Sequence, residues 1–284
     1  MNLKSAINQG TKILEKNLIQ SAKLDSEILM SKVIGKEREF IILNQKNHLE
    51  RNSYDYFKKL INLRSKGKPI AYLTGKKDFW KYEFKIDKNV LVPRPDTEII
   101  IEEVLKLTKN KNKLKLLDIG VGSGCILLSI LNEKKNFRGI GIDISKKCLY
   151  LSKINAFNLR INNRVKFFKT DVDNFNSGKY DLIISNPPYV NRFDLKYLDK
   201  GVVNFEPKLS LDGGLDGLSV IRKVINKASE LIKINGLLIL EIGFDQKKRV
   251  KKILKNKGFY INKVLKDYAN NDRCIISTKN NKYS

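Results

Sequence analysis

Asn186-Pro187-Pro188-Tyr189 sets a polar acceptor, two rigid residues and an aromatic directly behind the run Tyr180-Asp181-Leu182-Ile183-Ile184-Ser185. That run is nearly continuous in apolar residues rather than alternating, the pattern of a strand buried on both faces. Pro187 and Pro188 lack a backbone N–H, fix φ and push Asn186 out of the α region, so the chain must leave the sheet at once. The expected product is a stiff platform at the carboxyl end of a central strand, where open α/β sheets keep their ligands. Its acceptors are the Asn186 side-chain oxygen and proline carbonyls with no competing N–H beside them. Such a site suits a planar –NH2 group, which offers two donors. A lone Asn-Pro is usually a turn after a strand, and the rest of the chain has to decide between the readings.

Leu116-Leu117-Asp118-Ile119-Gly120-Val121-Gly122-Ser123-Gly124 reads as a strand running into a glycine-rich turn and a helix. The spacing is GxGxG. Position 125 is Cys, so the dinucleotide fingerprint GxGxxG is not met, and the Lys and Ser/Thr of a Walker loop are missing. The glycines let backbone approach a ligand closely, and Asp118 can meet a cationic amino group. Asp143 follows the next strand about 20 residues on, where ribose hydroxyls sit in such folds. A third strand ends at Lys169-Thr170-Asp171-Val172, where a carboxylate can accept from an adenine amino group and Val172 offers an N–H and an apolar surface. Each Asp taken singly is more often a cap. Three successive strand ends behind a glycine loop describe a pocket for an adenosine that carries an amino acid and no phosphate. That ligand is S-adenosylmethionine, leaving as S-adenosylhomocysteine.

The elements that must position these groups alternate from residue 114 onward. Strands are expected at 114–119, 138–142, 165–169, 180–185, 236–242, 259–265 and 273–277, and helices at 123–132, 145–159, 217–234 and 245–257. The alternation implies a mostly parallel, doubly wound sheet, an α/β class. Residues 1–75 show helical periodicity without strand alternation and predict a small helical bundle. Residues 76–92 alternate as a β-hairpin, in which Trp80 is expected to pack the hairpin onto its neighbour. The segment 93–284 then forms the catalytic domain, beginning at Pro93-Arg94-Pro95, where Pro95 suits the first turn of a helix. Arg94 is either a rigidly aimed functional group or an exposed turn residue. After Thr278 the polar residues are expected to fray.

The composition excludes several classes. His48 is the single histidine, and Cys125, Cys148 and Cys274 are scattered without CxxC spacing, so no metal site is expected and a reducing, cytoplasmic setting is. No run of 18 apolar residues offers a membrane span, and the first residues lack the apolar stretch of a signal peptide. Lys and Arg outnumber Asp and Glu by 56 to 30, a net charge of +26. An anionic partner would explain the excess. So would compositional drift, since Lys, Asn and Ile are abundant throughout and no dense Arg block occurs.

With these residues in place, the chain resembles the class I methyltransferases, and more closely the HemK/PrmC family of protein-glutamine methyltransferases. The resemblance spans nearly the whole chain. It rests on Pro69 to Gly75, Leu91 to Glu98, Asp118 to Gly124 and Asn186 to Tyr189. It continues through Asn204-Phe205-Glu206-Pro207, Asp216-Gly217-Leu218 and Asp267 to Arg273. The Pro-Arg-Pro-Asp-Thr-Glu segment behind a helical domain is similar to the release-factor branch rather than the ribosomal-protein branch. The resemblance implies a Rossmann-like sheet and a methyl transfer to the glutamine of the Gly-Gly-Gln motif in class 1 peptide chain release factors. It also implies that the helical domain helps hold that protein. Some relatives carry an aromatic where Val172 stands here.

The implied roles follow. Asp118, Gly120, Val121, Gly122, Ser123, Gly124, Asp143, Asp171, Val172 and Asn186 would bind the cofactor. Asn186, Pro187, Pro188 and Tyr189 would hold the substrate amide. The Asn186 oxygen and Pro187 carbonyl accept its hydrogens, Tyr189 packs against it, and Phe205, Glu206 and Pro207 cover the site. The enzyme is expected to be a monomer with no membrane or stable nucleic acid partner. A DNA- or RNA-amino methyltransferase shares the acceptor motif and remains the main rival, followed by a ribosomal-protein glutamine methyltransferase.

Overall fold

A computed structural model describes residues 1–279, so the polar tail expected beyond Thr278 lies almost wholly outside the described residues. The chain forms two compact units, one of Met1–Lys76 with Leu198–Glu206, the other of Lys77–Tyr197 with the residues from Pro207 onward.

The first unit is helical. It contains α1 (Leu3–Lys16), α2 (Ala22–Ile34), α3 (Arg38–Leu43), α4 (Arg51–Ser65) and α5 (Ile70–Thr74). Leu3, Ala6, Ile7 and Leu14 of α1 bury one face against Leu29, Met30, Phe57, Leu60 and Ile61, each large side chain contributing about 1.5–3 kcal/mol. Asp25 is buried in this unit and held by Arg64 at 2.7 Å. Removing either partner would strand a charge, a change costing about 3–5 kcal/mol. Residues 198–206 fall within the 93–284 segment that the sequence assigns to the catalytic domain, yet their contacts group them with the helices. A Cβ on Gly201 would stand 2.7 Å from the Gly67 carbonyl oxygen, so this approach tolerates no side chain.

The second unit opens with a hairpin, β1 (Lys76–Phe79) and β2 (Tyr82–Lys85), and continues through α6 (Glu98–Leu107). Pro95–Thr97 form a single 3-10 turn that leads into α6. The Trp80 backbone N–H donates to Glu98 at 2.8 Å and its indole N–H to Glu133 at 2.9 Å, tying the hairpin to two helices. Then follow β3 (Lys115–Ile119), α7 (Cys125–Glu133), β4 (Arg138–Asp143), α8 (Lys146–Asn158), β5 (Val165–Lys169) and β6 (Tyr180–Ser185). After α9 (Lys200–Phe205) of the helical unit come α10 (Ser219–Leu231), β7 (Ile232–Glu241), α11 (Lys247–Asn256), β8 (Phe259–Lys266) and β9 (Asp272–Lys279).

The seven-stranded sheet runs β5-β4-β3-β6-β7-β9-β8. The first five strands are parallel, and β9 alone is reversed: it lies antiparallel to both β7 and β8, so β8 again runs with the first five in a mostly parallel, Rossmann-like sheet. β6 lies at its centre between β3 and β7, and Leu182, Ile183 and Ile184 are fully buried. The helix expected over 217–234 ends at Leu231. Ile232 pairs instead with Tyr180 on β6, and the register shifts before Leu182 meets Leu237. No helix among the described residues is long and apolar enough to cross a membrane.

Candidate active site

A cavity of about 500 Å³ opens at the carboxyl ends of β3, β4 and β6, within the range of small-ligand sites. Its wall includes Gly120, Val121, Gly122 and Ser123 after β3, Asp143 after β4, Asp171 and Val172 after β5, and Asn186, Pro187 and Pro188 after β6. The adjoining rim is built by Asn89, Leu91, Pro93, Arg94, Thr97, Pro207, Leu209 and Ser210. Arg94 therefore faces the cavity.

The glycine loop is shaped for backbone approach. Gly120, Gly122 and Gly124 have φ of 78°, 56° and 84°, conformations that a Cβ disfavours. Gly124 does not line the cavity; it precedes the first residue of α7. Asp143 accepts from the Gly122 N–H at 3.0 Å and from the Ser145 N–H at 2.8 Å, which fixes the carboxylate beside the loop. Buried Asn155 on α8 ties the loop down from behind: its amide donates to the Ser123 carbonyl at 2.9 Å and its oxygen accepts from the Lys85 N–H at 2.7 Å.

Asp118 lies beneath that loop, 1% exposed, and neither carboxylate oxygen meets a hydrogen-bond partner. Burial first, and the charge of Asp143 second, push its carboxyl up to about 7. An orphaned buried carboxylate is costly unless a cation joins it. Asp118 itself does not line the cavity, whereas the next residues, Ile119 and Gly120, do. Asp171 accepts from the Asp173 N–H at 3.0 Å and lies 3.8 Å from the Lys223 ammonium.

Asn186 leaves the end of β6 half-buried, and its amide nitrogen donates to the Thr97 hydroxyl at 3.3 Å. Thr97 in turn donates to Glu241, at the end of β7, at 2.8 Å. Both are 2% exposed. Tyr189 does not line the cavity. Its hydroxyl instead donates to Glu241 at 3.5 Å and receives a bond from Arg273 at 3.4 Å. Asp267 holds that guanidinium at 2.8 Å. The exit of the motif is also clamped, because Gln246 donates to the Tyr189 carbonyl at 2.8 Å and to the Gly217 carbonyl at 3.1 Å. At Gly217, φ is 72° and a Cβ would stand 2.6 Å from the Tyr189 oxygen, which explains a glycine there.

The PrmC N-terminal domain matches residues 5–75, and the methyltransferase small domain matches residues 96–200. The release factor glutamine methyltransferase of Clostridium acetobutylicum is 36% identical over 98% of this chain and 99% of its own length. That of Buchnera aphidicola subsp. Acyrthosiphon pisum is 36% identical over 99% of this chain and 100% of its own.

The chain belongs to the release factor glutamine methyltransferase family.

Among solved structures, the ribosomal protein L11 methylase of Lactobacillus delbrueckii subsp. bulgaricus superposes with a TM-score of 0.51 at 16% identity, over 72% of this chain and 90% of that one. That likeness concerns the fold alone. For this member of the glutamine methyltransferase family, sequence reasoning passed over Thr97, Glu241 and Gln246. Glu241 carried a legible signal, since a carboxylate at the end of Leu237-Leu238-Ile239-Leu240 demands a partner. Which partner it has depends on strand order.

Proposed function

We propose that this chain transfers a methyl group from S-adenosylmethionine to the side-chain amide nitrogen of the glutamine in the Gly-Gly-Gln motif of class 1 release factors. The observation that carries the reading is the Asn186 amide at the cavity wall. Its nitrogen is engaged by Thr97, so its oxygen is the atom left to accept from a substrate.

A primary amide nitrogen is a poor nucleophile because its lone pair is delocalised into the carbonyl. S-adenosylmethionine supplies an electrophilic methyl group on a sulfonium. What remains for the protein is alignment. Asn186 Oδ1 and the Pro187 carbonyl accept the two amide hydrogens and direct the nitrogen lone pair at the methyl. Such positioning contributes roughly 7–11 kcal/mol to lowering a barrier. Bound there, the donor would present its ammonium to Asp118, its ribose hydroxyls to Asp143 and its adenine to Asp171 and Val172. The proton leaves to water after transfer. The helical unit holds the release factor, and the enzyme acts as a monomer.

The amino-methylating nucleic acid enzyme is the competing reading. Incubation with methyl-labelled S-adenosylmethionine and either release factor, ribosomal protein or nucleic acid separates them. Mass spectrometry should find one methyl on the Gly-Gly-Gln glutamine, and none on a release factor with that glutamine replaced. Label on nucleic acid in place of the release factor would overturn the proposal.

A further inference from the structure

The acceptor role of Asn186 leaves a question that the motif itself does not answer. A side-chain amide has two faces of nearly equal shape, one accepting and one donating. Only the accepting face can receive the hydrogens of a substrate –NH2. Nothing within Asn-Pro-Pro-Tyr selects it.

Two residues from other elements make the selection possible. The Thr97 hydroxyl has a single proton. It lies 2.8 Å from Glu241 and 3.3 Å from the Asn186 amide nitrogen. While Glu241 is ionised it only accepts, so the Thr97 proton must point to Glu241. The Thr97 lone pair then faces Asn186 and can bind only the amide nitrogen. This turns the Asn186 oxygen to the substrate. If Glu241 carries a proton it can donate to Thr97, and Thr97 can turn its own proton to Asn186. The amide is then equally satisfied with its oxygen on Thr97 and its nitrogen towards the substrate, the wrong face for catalysis.

We propose that Glu241 is a positioning residue that, acting through the Thr97 hydroxyl, sets which face of the Asn186 amide meets the substrate, and that its protonation switches this face. The proposal rests on the acceptor role assigned to Asn186 above. The groups around Glu241 suit a switch. Arg273 on β9 and the hydroxyls of Thr97 and Tyr189 favour its carboxylate, while burial and the charge of Asp96 oppose it. Cys274 on β9 and Cys125 on α7 also feel its charge, but both thiols are held well above their ordinary range and stay neutral. The balance leaves Glu241 at about 7, with burial the largest influence. Ionisation within the working range of pH therefore costs little.

The test is a pH profile of single-turnover methylation of a release factor by the full chain at saturating S-adenosylmethionine, where titration of Asp118 cannot enter. The wild-type rate should rise about tenfold per pH unit below pH 7 and level off above it. Glu241→Gln, near in shape and unable to ionise, should lie at least about tenfold below the plateau and be flat from pH 6 to 8.5. Thr97→Val should be flat and slow as well, whereas Thr97→Ser should restore the rise. Affinity for S-adenosylhomocysteine, measured by calorimetry, should be unchanged in all three. A wild-type pH limb that survives in Glu241→Gln, or a Thr97→Val profile that matches Thr97→Ser, would overturn the relay while leaving the release factor assignment standing. Failure of the wild-type chain to methylate any release factor would overturn both.

Discussion

Gln246, on the turn into α11 after β7, holds the backbone of Tyr189 after the neighbouring β6, donating to its carbonyl at 2.8 Å. The same amide holds the Gly217 carbonyl, and its oxygen accepts from the Gly243 N–H at 2.9 Å. One buried side chain thereby fixes where the chain goes after the two prolines. The rigidity of the acceptor platform is built from both ends: Pro187 and Pro188 stiffen it locally, and Gln246 anchors its exit.

The clamp can be broken from either side. Gln246→Ala leaves buried backbone groups without partners, at a cost of about 1–3 kcal/mol each. Gly217→Ala drives a Cβ into the Tyr189 carbonyl. Both should lower the thermal midpoint and reduce turnover more than they weaken cofactor affinity, because neither Gln246 nor Gly217 lines the cavity. Equal losses in the two quantities would show that the clamp supports the whole unit instead.

Asp118 gives cofactor binding a pH dependence with a definite sign. Its carboxyl is held at about 7, and pairing with an ammonium requires the ionised form. Affinity for S-adenosylhomocysteine should therefore fall as pH drops below 7, approaching about tenfold per unit. Calorimetry across pH 6–8 should also record proton release below pH 7. Asp118→Asn should bind weakly with this dependence removed. Without ligand the sign for stability is opposite. A raised carboxyl makes the folded chain bind protons more tightly than the unfolded one, so this contribution is full below the ordinary carboxylate range and lost as pH rises to about 7.

Asn155 should matter to the cofactor without touching it. Its side chain is fully buried and joins Lys85 on β2 to the Ser123 carbonyl of the glycine loop. Asn155→Ala removes three hydrogen bonds and should destabilise the chain by about 3 kcal/mol. The loop loses its backing, so cofactor affinity should fall too. Denaturant unfolding with and without S-adenosylhomocysteine measures both. A loss of stability with unaltered affinity would show that the loop holds its shape alone.

How far the sequence led depended on how local each signal was. The glycine loop, the three strand-end carboxylates and Asn-Pro-Pro announce themselves within a few residues, because each needs a special backbone or a rigid exit. The strands of the parallel half were legible as continuous apolar runs. Ile232-Lys233-Ile234 was not, because it continues the apolar spacing of α10 and becomes strand only through its pairing with Tyr180. Tyr189 was expected against the substrate, but its hydroxyl is drawn back to Glu241 and Arg273. Thr97 and Glu241 stand 144 residues apart, and no spacing rule joins them. Long-range polar pairs are set by strand order, which a single sequence does not print.

The claim on which the account turns is that Asn186 holds the substrate amide and contributes nothing essential to the fold. Asn186→Ala tests it by measuring, on one preparation, calorimetric binding of S-adenosylhomocysteine and the single-turnover rate of methyl transfer to a release factor. The account predicts near-normal folding and binding with a rate reduced by about 10²–10³, the loss typical of removing one preorganised hydrogen-bonding group. A rate within about twofold of wild type would contradict it.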